Sequence, residues 1–406
     1  MAKYLALLVA LFFAEPALAA GPAPLPTPLI VISIDGFRAD YFDRGLTPTL
    51  AALAKDGVRA GAMHPSFPSL TYPNHYTLVT GLRPDHHGII ENVMRDATVS
   101  PDLFTMTSKN SELPDWWDEA TPLWVSAQEQ GRIVASGGWP ASEALIHKHR
   151  PNYLDAWRDH RKPEEQAMVS LSWVDMPAAW RPSIQFLYFD DVDHGGHDFG
   201  PESPQVNDAL RQVDAALALL VAGLKQRGVF ESTNIVIVSD HGMADTSDQR
   251  TVILEDLLPK GIALIRSAGA STGLDPTPGH DADLAAFLLK PHPHFTCWRK
   301  DRIPARLHYG TNPRIPEFLC LSEAGWRFAA RADKAYWKKP HPGSHGYDPA
   351  DPAMNALFLA HGPAFRRGVT LKPFDNVDVY PLLAAISGVR PEKNDGTLAD
   401  LTPALK

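Results

Sequence analysis

Cysteine is almost absent from this 406-residue chain, which has only Cys297 and Cys320. Neither sits in the close pairs of a zinc finger, so a thiolate metal module is excluded. Long basic runs are missing too, and the net charge is −9. That balance argues against a broad electrostatic grip on a nucleic acid polymer. A phosphate-bearing substrate would need local positive charge, most simply a metal ion. No apolar run is long enough to span a membrane; "YLALLVALFFA" near the start falls short. There are no internal repeats, and the only low-complexity segment is the proline-rich "GPAPLPTP" (21–28).

What is present begins with a leader. Residues 1–20, "MAKYLALLVALFFAEPALAA", carry Lys3, a short apolar stretch and small residues for cleavage. This reads as a signal peptide, and residues 21–406 as one catalytic domain. A retained anchor is the alternative, but no cysteine comes after it for lipidation. The expected protein is periplasmic or secreted, monomeric and without a stable membrane anchor. In an oxidising compartment Cys297 and Cys320 read as one disulfide; two unrelated buried thiols are the alternative.

With 44% hydrophobic residues the chain can build a large core. "PLIVISIDG" (28–36), "SIQFLYFDDVDHGGH" (183–197) and "NIVIVSDHG" (234–242) share one form, an apolar strand and then acid, histidine or glycine. "NALFLAHGP" (355–363) is a weaker fourth copy. Continuous apolar runs predict strands buried on both faces of a parallel sheet. Between them, "TPTLAALAKDG" (47–57) and "SPQVNDALRQVDAALALLVAGLKQRG" (203–228) have helical periodicity, with Thr47 and Ser203 as caps. The fold class is α/β: a central, mostly parallel sheet with helices on both faces. Residues from about 246 to 345 break the alternation and are read as an insertion that caps the site.

Ligands bind such sheets beyond the carboxyl ends of the strands. That groups Asp35, Asp193, His197, Asp240 and His241, with His345 added from the loop "GSHGYD" (343–348). Taken singly, each is a turn former or an ordinary loop histidine. Together they are three carboxylates and three imidazoles, a set that suits Zn²⁺ and also accommodates Mn²⁺ or iron. Six ligands are too many for one open catalytic zinc and suit two. "SLTYPNHYTLVTG" (69–81) adds Thr71 at a helix start, where it is either an N-cap or a nucleophile activated by a metal.

"LTYPNHYTLVTGLRPDHHGIIEN" (70–92), "DVDHGGHDFGP" (191–201), "SDHGM" (239–243), "GSHGYDP" (343–349) and "FDNVDVYPLL" (374–383) resemble, in order, the motifs of the nucleotide pyrophosphatase/phosphodiesterases of the alkaline phosphatase superfamily. The likeness runs from about residue 28 to the end and is nearest to bacterial secreted members. It implies an alkaline-phosphatase-like fold and two Zn²⁺ per chain. Asp193, His197 and His345 would hold one ion. Asp35, Asp240 and His241 would hold the other, which touches the Thr71 oxygen. Thr71 would be the nucleophile, Asn92 a phosphate ligand and Tyr72 one wall of a nucleobase slot. Trp157, Tyr153 and Tyr188 are candidates for the second wall. Leu70 and Glu91 depart from eukaryotic members, which often carry Lys and Asp there.

The implied reaction is hydrolysis of nucleotide phosphodiester or pyrophosphate bonds to nucleoside 5′-monophosphates through a covalent threonine intermediate. The alternative substrates are choline phosphodiesters or lysophospholipids at the same two-zinc site. A monoesterase, a sulfatase and a metal-stabilised binding protein fit less well. No arginine lies within two residues of Thr71, a sulfatase needs cysteine or serine there, and the metal set looks open.

Overall fold

The computed structural model describes residues 27–331, 338 and 340–406. The leader reading therefore lies outside the described residues. In chain order the elements that position the site are β1 (Leu29–Ile34), α1 (Pro48–Lys55), β2 (Val58–Ala60), α2 (Thr71–Thr80), β3 (Val134–Gly137), β4 (Tyr153–Asp155), α3 (Pro163–Val174), β5 (Ile184–Phe189), α4 (Asp191–Phe199), α5 (Pro204–Gln226) and β6 (Asn234–Val238). Four strands of a separate region come next: β7 (Ala263–Ile265), β8 (Ser271–Pro276), β9 (Phe295–Arg299) and β10 (Phe318–Ser322). The chain then returns as β11 (Phe358–His361), β12 (Val369–Leu371) and α6 (Val379–Ser387).

Among the described residues the main sheet has eight strands, ordered β12-β2-β11-β6-β1-β5-β3-β4. β1 is central, wholly buried and parallel to both neighbours, with Leu29 opposite Ile184 on one side and Asn234 on the other. Its side chains alternate between two cores, as strand geometry requires. Leu29 and Val31 pack with Tyr76 and Leu78 of α2 and Leu382 of α6. Ile30, Ile32 and Ile34 pack with Leu53 of α1, Leu171 of α3 and the apolar face of α5. Helices therefore cover both faces. On α5, Val206, Leu210, Val213, Leu217, Leu220 and Leu224 are all buried, each contributing about 1.5–3 kcal/mol of transfer free energy.

Two local expectations need correction. The fourth apolar run, β11, is antiparallel to β6 and to β2, so its carboxyl end points away from the site edge. Composition alone does not reveal strand direction. Of the two expected caps, Ser203 accepts from the Val206 N–H at 3.2 Å, but Thr47 makes no side-chain cap bond.

The separate region forms a four-stranded antiparallel sheet, β7-β8-β10-β9, over its own core of Leu254, Leu274, Phe295, Phe318 and Phe328. Cys297 and Cys320 face each other across β9 and β10 and are bonded.

Candidate active site

Because β1, β5 and β6 are parallel and in register, their carboxyl ends lie side by side. Asp35 comes directly after β1, and its N–H donates to Phe189 O at the end of β5 at 2.8 Å. Asp240 and His241 come just after β6, and α4 starts directly after β5 and carries Asp193 and His197 one turn apart. Gly36 makes the convergence possible. Its φ is +65°, its N–H donates to Asp240 Oδ1, and a Cβ there would stand 3.0 Å from Asp193. Gly343 does the same for His345, since a Cβ there would meet Gly196 O at 2.1 Å.

All six candidate ligands meet in one place. Asp35, Asp240 and His241 form one grouping with ligand atoms within 4.8 Å of one another; Asp193, His241 and His345 form a second. His197 joins the second, with Nε2 3.5 Å from Asp193 Oδ2 and 3.0 Å from His345 Nε2. The His241 and His345 rings stack at 3.6 Å, so the groupings are contiguous.

The hydrogen-bond pattern fixes what these groups present. Nδ1 of His197, His241 and His345 each donates to a backbone carbonyl, those of Gly343, Gly242 and Ser69. Each imidazole therefore turns Nε2 inward. Asp35 Oδ1, Asp193 Oδ1 and Asp240 Oδ2 are buried and accept no hydrogen bond. Burial, then Asp240 and Asp193, hold the Asp35 carboxyl well above its ordinary range. Burial lowers His345 to about 3, helped by His241. Burial also opposes charge on Asp240, but His241 and His75 outweigh it and hold that carboxyl low. Inward acceptors and buried, unpaired carboxylate oxygens facing one another favour cations between them. The donor set of imidazole and carboxylate fits two divalent ions of the zinc type.

Thr71 stands beside this cluster. The residue is 7% exposed, and Oγ1 lies 3.3 Å from His241 Nε2. It is not the N-cap: Leu70 holds that position in an extended conformation, and Thr71 is the first residue of α2. The hydroxyl thus makes no capping bond and faces the cluster. Asn92 Oδ1 accepts the Tyr72 N–H at 2.9 Å, which leaves its Nδ2 hydrogens free to donate.

A cavity of about 360 Å³ opens over Asp35, Thr71 and Asp193. Tyr72 forms one wall, its hydroxyl tied to Met106 O at 2.8 Å. Trp157 forms another; its backbone N–H donates to Glu143 and its Nε1 to Asp190, both at 2.9 Å. Tyr188 also lines the cavity, but its hydroxyl donates to Asp35 Oδ2 at 2.5 Å, so it orients a candidate ligand as well as forming a wall. Tyr153 packs against the α5-side core and does not line the cavity. Residues 246–331, expected to cap the site, line none of it; the walls come from 106–117, 138–144 and 157–159.

Sequence reasoning misses Trp117, Trp139, Glu112 and Glu143 on these walls. A signal for Trp139 exists in "IVASGGWP" (133–140), another apolar run ending in glycine. His75, which in sequence looks like a packing residue, touches the site. Its Nδ1 donates to Thr71 O at 2.8 Å and lies 3.4 Å from Asp240 Oδ2, while Nε2 accepts from Ser33 Oγ. Asn74 is a scaffold residue that bonds Ser66, Pro68, Leu70 and Asn376.

Comparison with known proteins agrees with this arrangement. The family model for type I phosphodiesterase/nucleotide pyrophosphatase matches residues 29–348. An uncharacterized pyrophosphatase/phosphodiesterase of Schizosaccharomyces pombe is 36% identical over 386 residues, 92% of this chain and 80% of that protein. The bis(5′-adenosyl)-triphosphatase enpp4 of Xenopus laevis is 34% identical over 93% of this chain and 82% of its own length. Bovine ectonucleotide pyrophosphatase/phosphodiesterase family member 3 is 34% identical, but this chain spans only 44% of it. Among solved structures, murine ectonucleotide pyrophosphatase/phosphodiesterase 5 superposes with a TM-score of 0.88 at 31% identity, covering 93% of this chain and all of that one. An inactive threonine-to-alanine variant of the murine protein, in complex with AMP, matches with the same score. The fold is thus alkaline-phosphatase-like, and the chain belongs to the type I phosphodiesterase/nucleotide pyrophosphatase family of hydrolases.

Proposed function

We propose that this protein hydrolyses nucleotide phosphodiester or pyrophosphate bonds to nucleoside 5′-monophosphates, through a covalent intermediate on Thr71. The observation that carries the reading is the set of three inward imidazoles and three orphaned carboxylate oxygens beside the Thr71 hydroxyl. Asp193, His197 and His345 would hold one zinc, and Asp35, Asp240 and His241 the other. Zinc so held supplies Lewis-acid stabilisation of phosphoryl charge and lowers the pKa of an adjacent hydroxyl.

The chain's own residues supply the rest. Thr71 Oγ1 attacks phosphorus as its proton passes to solvent, and the leaving group departs on the opposite side with the P–O bonding pair, taking up a proton from solvent where its pKa requires one. Water then attacks phosphorus from the vacated side. The phosphorus–threonine bond breaks, the monophosphate leaves and the hydroxyl regains a proton. Asn92 Nδ2 donates to a non-bridging oxygen, because its Oδ1 is already engaged by Tyr72 N–H. Tyr72 and Trp157 wall a slot for the base, with Glu143 and Asp190 bracing Trp157. The AMP held by the murine relative supports a nucleotide in this slot.

One observation favours a second reading. Glu112, Glu143 and Asp159 share the cavity with Tyr72, Trp117, Trp139 and Trp157. Aromatic faces with carboxylates also suit a cationic head group such as choline. Rates on p-nitrophenyl thymidine 5′-monophosphate and on p-nitrophenyl phosphorylcholine, each with and without added zinc, separate the two. The nucleotide reading expects faster, zinc-dependent turnover of the first; a faster second substrate contradicts it.

On this reading the protein acts as a monomer in the periplasm or outside the cell. No helix among the described residues is long and apolar enough to cross a membrane. Fractionation of expressing cells tests the location, and activity confined to the cytoplasm contradicts it.

A further inference from the structure

The insertion does not line the cavity, yet one of its side chains holds a cavity wall from behind. Arg314 lies in the loop between β9 and β10, and its side chain is buried. It bonds to the segment 88–119, which leads from α2 into the wall. Nε donates to Asp96 Oδ2 at 3.0 Å. Nη1 donates to Gly88 O at 2.9 Å and to Trp116 O at 3.0 Å, and Nη2 donates to Asp115 O at 3.0 Å. Nη1 also lies 3.2 Å from Glu119 Oε1. Three of these acceptors are backbone carbonyls, and the planar guanidinium fork can serve them together. Gly88 makes room for it: its φ is +77°, and a Cβ there would stand 2.6 Å from Nη1.

The loop that carries Arg314 is fixed in its turn. The Asp85 carboxylate accepts the N–H groups of Gly310, Thr311 and Asn312 at 3.0, 2.8 and 2.9 Å. Asn312 Oδ1 accepts the Arg314 N–H at 3.0 Å, and its Nδ2 donates to Glu119 Oε2 at 2.8 Å. The two adjacent carbonyls that Arg314 holds come directly before Trp117. That residue lines the cavity and meets Tyr72 edge-on, with ring centroids 5.8 Å apart. On its other side, Trp117 O accepts the hydroxyl of Tyr76, on α2, at 2.7 Å. Residues 115–117 belong to no strand, so no ladder fixes them and side-chain bonds of this kind must.

We propose that Arg314 is a positioning residue for substrate recognition: from the insertion it clamps the carbonyls of Asp115 and Trp116, and so sets Trp117 and the Tyr72 wall for the base. The inference rests on the function proposed above. It gives the insertion a part in selectivity, as a brace behind the wall rather than as a cap. Arg314 does not touch the substrate and acts through Trp117 and Tyr72.

The test compares two esters in the zinc-loaded full chain. p-Nitrophenyl thymidine 5′-monophosphate brings a base to the slot, and methyl p-nitrophenyl phosphate brings none. Arg314→Lys keeps the buried charge opposite Asp96 and Glu119, but one ammonium cannot serve carbonyls on both sides. It should raise KM for the thymidine ester about 5-fold, with kcat within about 2-fold and zinc content unchanged. Arg314→Ala, the harsher change, should raise that KM about 10-fold. On the methyl ester both variants should keep kcat/KM within about 2-fold of wild type. In a Tyr72→Ala background, Arg314→Lys should cost less than about 2-fold on the thymidine ester, because the wall it sets is gone. Equal losses on the two esters would mark a merely structural role and overturn the proposal. Wild-type KM for the thymidine ester in either variant, or a full loss in the Tyr72→Ala background, also overturns it. A wild type that turns over neither ester, or that prefers the methyl ester, overturns the function reading and this inference with it. A wild type that prefers the thymidine ester, joined to any of the three contrary results, overturns this inference alone.

Discussion

The candidate metal-ligand edge and the cavity above it are built in opposite ways. Most of the edge hangs on the ends of three parallel strands, with His345 added from a loop; Asp35, Asp193, Asp240, His241 and His345 are all at most 8% exposed, and His197 is half-buried. The cavity walls come from irregular stretches at 106–117, 138–144 and 157–159, where Trp157 is half-buried and Met106 is 43% exposed. Strand ends in a sheet cannot move without breaking the ladder, so most of the candidate ligands sit where the backbone is most constrained, with Thr71 brought to them by the start of α2. Loops tolerate change, and on the proposed function the groups that would recognise the substrate sit there. On this account chemistry and selectivity are separable, and substitutions in the two regions should differ in kind.

The largest effect belongs to the edge. Thr71→Ala should reduce kcat by roughly 10⁴-fold or more while leaving zinc content intact. Metal analysis beside steady-state kinetics checks both halves. Residual activity near wild type would mean that the edge does not house the chemistry.

A disulfide effect of the next size tests whether the insertion stands apart. The bridge closes a sequence separation of 23 residues, and replacing both cysteines by alanine should cost about 3 kcal/mol of stability. Denaturant unfolding measures the cost. Zinc content should not change, since no ligand comes from β7 to β10.

A wall substitution should act on selectivity alone. Trp157→Ala should raise KM for a nucleotide ester about 10-fold with a smaller change in kcat. An equal fall in kcat would show that wall and edge are not separable.

The smallest effect concerns pH beside the site, at the cleft lined by Glu91 and Tyr309. Burial raises Glu91 from its ordinary 4.5 to about 7. The folded state then holds a proton that the unfolded state has released between those values. Stability therefore falls as pH rises from 4.5 through about 7, by about 1–2 kcal/mol after allowance for partial exposure. Glu91→Gln should flatten that part of the profile in thermal melts from pH 4 to pH 8. An unchanged slope contradicts the assignment.

The same contrast explains which features are legible in the sequence. "PLIVISIDG", "NIVIVSDHG" and the run through "DVDHGGH" are legible because parallel strands need continuous apolar residues and set the residues just beyond them along one edge. Direction is not legible. β11 has the same apolar look as β6 but runs antiparallel to it, which its composition does not encode. The walls are harder, because Trp117, Glu112 and Glu143 reach the cavity through loops with no periodic pattern. Tyr188 is visible in sequence as an aromatic wall candidate, but only the register of β5 on β1 brings its hydroxyl to Asp35. Sequence leaves Thr71 as either a cap or a nucleophile; Leu70 takes the cap position and leaves the hydroxyl at the cluster. Nor is it legible that residues 246–331 do not line the cavity: an insertion's place in the chain does not say which side of the site it leans on.

The central claim is that Thr71 carries the nucleotidyl group between two displacements. Acid-quenching the zinc-loaded protein during turnover of p-nitrophenyl thymidine 5′-monophosphate, then mapping the adduct by peptide mass spectrometry, tests it directly. A nucleotidyl adduct on Thr71, absent from Thr71→Ala, is the expected result. Steady turnover with no adduct, or an adduct on another residue, would contradict it.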